Sequence, residues 1–316
     1  MGISMKTIKI NENDSGQRLD AFMRKLFKNV MPQSLIYKSI RKKRVKVNGK
    51  KSEINYILQL GDVLDLYIND EFFVKEKTVK PKDFTPNLKI IYEDKNIALI
   101  DKSPGILTHS NGDKATDTIA SQFLSYLVLK GEYQPDKENS FTPALCNRLD
   151  RNTGGIVIAA KNAAALRTMN EIIRQRMVKK IYLALCEGKF KNKRAVLKGY
   201  LVKNKHQNKA YISETAQNGA VEIVTAYNVI RQGKSNALVE VELITGRTHQ
   251  IRAHLAAIGH PIVGDMKYGN GKPGQHQALC AHKLIFLNGF EGSTLSYLIG
   301  KAFSSEYPDF LRHLPL

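Results

Sequence analysis

The segment Asn147-Arg148-Leu149-Asp150-Arg151-Asn152-Thr153-Gly154-Gly155 holds the strongest candidate for chemistry in this chain. It leads into Ile156-Val157-Ile158-Ala159-Ala160, a short apolar run that reads as a strand. An aspartate between two arginines is, taken alone, an ordinary surface ion pair that contributes little. At the mouth of an apolar strand, however, a rigid element can position a loop carboxylate for catalysis. The two glycines read as room for a substrate backbone to approach. Two further segments carry reactive or charged side chains: Lys180-Ile181-Tyr182-Leu183-Ala184 and Thr245-Gly246-Arg247-Thr248-His249-Gln250-Ile251-Arg252-Ala253-His254.

Other chemistries find less support. Gly269-Asn270-Gly271-Lys272-Pro273-Gly274 matches GxGxxG in form, but no apolar strand precedes it and Pro273 falls inside the turn, so it reads as a flexible surface loop and not a dinucleotide site. No GxxxxGK[ST] phosphate loop occurs. His249, His254, His260, His276 and His282 make no HExxH and join no acid cluster. Cys146, Cys186 and Cys280 lie far apart and form neither a disulfide framework nor a metal knuckle.

The elements that must position these residues are mostly strands. Residues 88–92 and 97–101 read as a strand pair around a polar turn. Residues 116–129 read as an amphipathic helix with Ile119, Phe123, Leu124, Leu127 and Val128 on one face. A strand over 155–161 and a helix over 163–177 follow, then strands over 181–186, 221–230 and 237–244. A short helix over 249–258 is capped by Thr248 and stopped by Gly259 and Pro261. Strands without regular βαβ alternation imply an α+β domain with a mixed, largely antiparallel sheet.

The chain has 316 residues, a length suited to two domains, and 42% of them are hydrophobic, enough for a real core. Its formal charge of +20, from 49 Lys+Arg against 29 Asp+Glu, points to a polyanionic partner. No apolar stretch approaches the roughly 18–20 residues of a membrane span, and no secretory leader is recognised, so a cytoplasmic location with reduced thiols is expected. The excess charge is concentrated. Between residues 16 and 51, twelve Lys/Arg face one acid, Asp20. They are interleaved with Leu19, Phe22, Met23, Leu26 and Phe27 at helical spacing, and with Leu35, Ile36 and Ile40 after Pro32. Val45-Lys46-Val47 alternates and Asn48-Gly49 is a hairpin signal. Residues 16–68 therefore read as two basic helices on a small sheet, 69–87 as a connector containing Pro81 and Pro86, and 88–316 as the larger domain.

The basic segment resembles the αL motif, a small RNA-binding domain known from a ribosomal small-subunit protein, through Arg18-Leu19-Asp20, Ser34, the run from Ile40 to Lys50, and Gly61-Asp62. The resemblance implies that Arg18, Arg41, Lys42, Lys43, Arg44 and Lys46 grip structured RNA through its phosphates. The Asp150, Tyr182 and Arg247 segments, in that order, resemble the RluA family of pseudouridine synthases over roughly residues 88–290. That family implies an isomerase that detaches uracil from its ribose, turns the ring and reattaches it through carbon, with no metal, nucleotide or other cofactor. The appended basic domain implies large-subunit ribosomal RNA as substrate. On this resemblance Asp150 is the essential carboxylate, acting either as a nucleophile on the anomeric carbon or as a base through a glycal. Tyr182 stacks on the flipped base, Arg247 pairs with the carboxylate, and Arg148 enters the RNA stack when the uridine leaves it. The family usually has His in place of Asn147 and Thr-Ser-Gly in place of Thr153-Gly154-Gly155, departures that bear on RNA contacts and not on the reaction. The competing readings are a non-catalytic ribosome-assembly factor, the same reaction on transfer RNA, and a hydrolase of free nucleosides.

Overall fold

A computed structural model of the chain describes residues 3–28, 30–73, 85–110, 117–204, 207, 209–306 and 308–311. Residues 3–69 build a four-stranded antiparallel sheet in the order β1-β4-β2-β3, from β1 (Ile3–Lys9), β2 (Val45–Val47), β3 (Lys50–Lys51) and β4 (Val63–Asn69). Two helices lie between β1 and β2 in the chain, α1 (Leu19–Leu26) and α2 (Gln33–Arg41). Their apolar stripes, Leu19, Phe22, Met23, Ile36 and Ile40, pack on the inward residues of the strands, Val45, Val47, Leu64, Leu66 and Ile68, in one core.

Two turns display the basic residues. At the end of α2, Lys43 takes a left-handed φ of 60° and donates its N–H to Ile40 O, while Arg44 N bonds Ser39 O. This Schellman closure turns the chain sharply into β2 and leaves Arg41, Lys42, Lys43 and Arg44 exposed. Asn48 and Gly49, at φ 51° and 74°, make the type I′ turn expected of them. The first strand was not legible in the sequence: Ile3–Lys9 pairs with the full length of β4, from Ile3↔Asn69 to Lys9↔Val63, so the sheet begins well before residue 16. Of the expected connector, residues 74–84 lie outside the described residues.

The larger sheet has eleven strands. Its path is β11-β10-β12-β13-β9-β14-β8-β6-β5, with β7 beside β8 and β15 beside β14. The strands are β5 (Lys89–Glu93), β6 (Ile97–Lys102), β7 (Ala144–Leu145), β8 (Gly154–Ala160), β9 (Val178–Glu187), β10 (Arg194–Asn204), β11 (Lys209–Ser213), β12 (Val221–Gln232), β13 (Asn236–Leu243), β14 (Leu279–Phe286) and β15 (Ala302–Ser304). Among the described strands of the sheet only β14 with β8 pairs in parallel, which makes the sheet mixed and mostly antiparallel, as expected. Helices α3 (Ile119–Leu129), α4 (Ala163–Arg174) and α5 (Gln250–Ala257) pack on it. Thr118 and Asn162 cap α3 and α4 through their side chains. No described helix is long and apolar enough to cross a membrane.

The two parts meet along a polar seam. Asp14 is fully buried, and its carboxylate accepts hydrogen bonds from Ser140 Oγ at 2.6 Å and Asn139 Nδ2 at 2.7 Å. Asn13 donates to Glu138 at 2.7 Å and accepts from Ala163 N at 3.0 Å. The buried carboxylate is thus matched by donors from the other part, which fixes how the basic surface sits beside the large sheet.

Candidate active site

Asp150 stands in the turn before β8, and that turn is anchored on every side. Thr108 Oγ donates to Leu149 O at 2.8 Å and accepts from Leu149 N. Thr153 N closes back on Asp150 O at 3.0 Å. Lys102, at the end of β6, is 1% exposed and gives its three ammonium protons to Ser103 O, Ile106 O and Arg151 O at 2.9–3.0 Å. Burial pulls its pKa down to about 8, against the opposing field of Asp150. Arg151 bonds Gly105 O and so serves this anchoring rather than a ligand.

The glycines of the turn make room for the protein's own backbone, not for a substrate. Gly155 has φ 104°, and a Cβ there would lie 2.3 Å from Ala281 O. The parallel contact of β8 with β14, Gly155↔Ala281, requires that approach. Asn147 likewise faces inward: its Oδ1 accepts from Ile158 N at 2.7 Å and its Nδ2 donates to Ile156 O, so it braces β8.

The guanidinium on Asp150 is that of Arg252, not Arg247. Arg252 Nη1 donates to Asp150 Oδ2 at 2.8 Å. Its other edge forms a two-pronged bond to Asp265, Nε to Oδ2 at 2.7 Å and Nη2 to Oδ1 at 2.8 Å. Asp265 is fully buried and also accepts from Lys267 N and Tyr268 N. Burial disfavours the charge on both partners, but their mutual bonds prevail: Arg252 is held above its ordinary pKa and Asp265 below. The cause lies in α5, whose first six residues are all buried. A charged side chain there must find partners in the interior. Arg247 precedes the helix, exposed on the rim of the cleft; its backbone N–H bonds Gln250 Oε1 and its carbonyl accepts from Gln250 N, while its side chain has no partner among the described residues.

Thr248 does not cap α5. The helix starts from His249, in a left-handed conformation at φ 59° with no side-chain cap. Gln250 is 2% exposed and fastens the turn, bonding Thr245 Oγ1, Val224 O and Thr225 Oγ1. His249 Nε2 lies 3.8 Å from Asp150 Oδ2, and its Nδ1 lies 3.0 Å from the Tyr268 hydroxyl. That hydroxyl also accepts the Ala210 N–H at 2.7 Å, which ties the His249 ring through Tyr268 to the start of β11. Burial lowers the His249 pKa, so the ring is neutral at pH 7. The loop read as flexible, around Gly271, is packed here: Gly269 N bonds Asp265 O, and a Cβ on Gly271 would lie 2.4 Å from Gly264.

Asp150, Tyr182, Arg247, Arg252, His249 and Arg148 line one open cleft of about 810 Å³. Tyr182 is 6% exposed, and burial followed by the Asp150 charge raises its pKa. Arg148 is exposed at the cleft, without a partner among the described residues. Of the expected RNA-gripping residues, Arg41, Lys42, Lys43 and Arg44 are exposed and unpaired among the described residues, Lys46 lies 5.3 Å over the Tyr67 ring, and Arg18 is bound to Asp20 at 3.0 Å. Among the described residues no three His, Cys, Asp or Glu side chains gather as metal ligands would.

The site is a wide cleft with an arginine-held carboxylate and a buried tyrosine on a mixed eleven-stranded sheet. Residues 96–257 match the family described as RNA pseudouridylate synthase. The chain belongs to this family, in its RluA-type branch, and is an isomerase that acts on RNA. It is 34% identical over 285 residues to an uncharacterized RNA pseudouridine synthase of Mycoplasma capricolum, covering 89% of each chain. It is 33% identical over 270 residues to the ribosomal large subunit pseudouridine synthase C of Escherichia coli K12, covering 84% of this chain and 81% of that one. The solved structure of human RNA pseudouridylate synthase domain containing 4 superposes with a TM-score of 0.56 at 25% identity, covering 71% of this chain and 90% of that one.

Proposed function

We propose that this enzyme converts specific uridines of large-subunit ribosomal RNA to pseudouridine, in the cytoplasm, with Asp150 as the reacting group. The observation that carries the reading is the Asp150 carboxylate, held in the cleft by a 2.8 Å bond from Arg252 and left partly open to a ligand. A target uridine flips out of its RNA into the cleft, Tyr182 takes the base, and Arg148 fills the vacated stack. Asp150 then either attacks C1′ as the N1–C1′ bond breaks, or removes the C2′ proton to give a glycal. In both routes the turned uracil rejoins C1′ through C5, displacing the Asp150 oxygen in the first and with return of a proton to C2′ in the second; the C5 proton is lost and N1 gains one, so no redox partner is needed. Residues 16–68, read as an αL-type domain, hold structured RNA with the exposed Arg41–Arg44 turn. The RNA target is supported by the similarity to ribosomal large subunit pseudouridine synthases of several bacteria, including that of Escherichia coli K12.

The test is direct. Purified enzyme incubated with protein-free large-subunit ribosomal RNA is expected to produce carbodiimide-reactive positions with no release of free uracil. Modification of transfer RNA alone would move the substrate, free uracil would indicate a hydrolase, and binding without modification would leave an assembly factor. A second prediction concerns the basic turn. Replacing Arg41, Lys42, Lys43 and Arg44 together with Gln is expected to weaken RNA binding and to flatten log K against log salt by roughly 3, at about 0.7 per lost phosphate contact. An unchanged slope in gel-shift titrations would show that this turn faces away from the RNA.

A further inference from the structure

Strand β9 brings a second side chain to the cleft beside Tyr182. Side chains two positions apart on a strand share a face, and Lys180 lines the cleft with Ile173, Leu243 and Gly246. Its ammonium reaches the turn that follows β13: a Cβ added to Gly246 would stand 3.4 Å from Lys180 Nζ. The other sequestered cations of this part are matched. Lys102 has three carbonyls, Arg252 has two carboxylates, and Lys161 has Glu93 and Glu132. Lys180 is different. Among the described residues it makes no hydrogen bond or ion pair, and the charge that bears on it is another cation, Arg176. Burial first, and Arg176 second, pull its pKa below the ordinary lysine value. Arg176 is exposed just past the end of α4, held in a left-handed conformation at φ 61°, and its side chain also lacks a described partner. A half-buried cation beside a like charge lowers stability until a counter-charge arrives.

We propose that Lys180, with exposed Arg176 adding its positive field from the end of α4, receives a backbone phosphodiester of the RNA strand next to the nucleotide held at Asp150. An anion relieves both the desolvation of Lys180 and its repulsion from Arg176. A neutral carbonyl of the base would satisfy one donor and leave the repulsion in place. The inference rests on the reading that the target nucleotide sits at Asp150, and it makes Lys180 a binding residue whose contribution appears in RNA affinity.

The experiment measures binding of in vitro transcribed, protein-free large-subunit ribosomal RNA at several salt concentrations, together with the single-turnover rate at saturating RNA. Lys180→Met is expected to reduce the slope of log K against log salt by about 0.7, one phosphate contact on single-stranded RNA. Lys180→Arg restores the slope. Arg176→Gln, on an exposed side chain that does not threaten the fold, flattens the slope in the same direction. An unchanged slope in Lys180→Met of wild-type melting temperature overturns the proposal, as does an unchanged slope in Arg176→Gln. A loss confined to the saturated rate also overturns it, because Lys180 would then act on the base. Failure of the wild-type enzyme to modify this RNA counts against the ribosomal target instead, and is read separately from the slopes.

Discussion

Asp150→Asn is expected to lower pseudouridine formation by about four orders of magnitude or more, the scale seen when a single reacting group is removed. RNA affinity stays within a few-fold of wild type. The substitution is nearly isosteric. The amide oxygen still accepts the Arg252 Nη1 proton now given to Asp150 Oδ2, and Arg252 keeps both bonds to Asp265. The turn is fastened through Leu149, Arg151 and Thr153, none of which uses the Asp150 carboxylate, so the fold is preserved. What disappears is the negative charge and, with it, the nucleophile or base that both routes require. A neutral side chain repels phosphate less than a carboxylate does, so binding has no reason to weaken. Carbodiimide-dependent primer-extension stops on ribosomal RNA, run beside gel shifts, separate the two quantities. Wild-type modification by this variant would remove Asp150 from the reaction.

Much of this arrangement was legible in the chain because it is local. The turn Asn147–Gly155 announces itself by running into an apolar strand, and β8 is buried along its whole length. Lys180 and Tyr182 are two apart in a strand, so they share a face in any fold that exposes one of them. Helix α2, the strand Val45–Val47 and the Asn48-Gly49 turn lie within a few residues of one another, and local periodicity fixes them. The larger failures are long-range. Strand β1 has an irregular pattern, with Met5 57% exposed, and becomes a strand through pairing with β4 some sixty residues later. Strands β10 and β11 lie at the edge of the large sheet, where β10 alternates between more and less exposed positions without a matching apolar alternation in its sequence.

The choice between Arg247 and Arg252 illustrates the same limit. Both arginines belong to one short motif, and spacing alone favours neither. The deciding fact is Asp265, which stands beyond the end of α5 and turns the guanidinium of Arg252 toward Asp150. One signal was available: Arg252 lies between Ile251 and Ala253 in a short helix whose apolar residues leave no solvent face for a charge. A cation in such a helix calls for a buried acid somewhere else in the chain.

Removing that cation gives the second large effect. Arg252→Met leaves Asp265, fully buried, without its counter-charge. Breaking one side of a buried ion pair costs about 3–5 kcal/mol, and the reaction slows by roughly 10²–10³, the range found when a positioned donor is lost from an active site. The pH dependence identifies the cause. In the wild type the Asp265 pKa is depressed, so its contribution to stability is present above the unfolded carboxylate value of about 3.9 and is lost as pH falls through the depressed one. Without Arg252, burial raises the Asp265 pKa above the unfolded value, so the protonated form is favoured in the folded state. Its contribution is then present in acid and lost as pH rises through the raised pKa. The stability gap between variant and wild type must therefore widen upward from about pH 4 and narrow below it, as read from denaturant unfolding at a series of pH values. Arg252→Met combined with Asp265→Asn removes the stranded charge while keeping an acceptor for Lys267 N and Tyr268 N. This double variant is expected to regain most of the stability at pH 7 and none of the activity, because Asp150 still lacks its guanidinium. A pH-independent gap would deny that Asp265 is the stranded charge, and recovery of activity in the double variant would show that Arg252 acts on the reaction only by holding the fold.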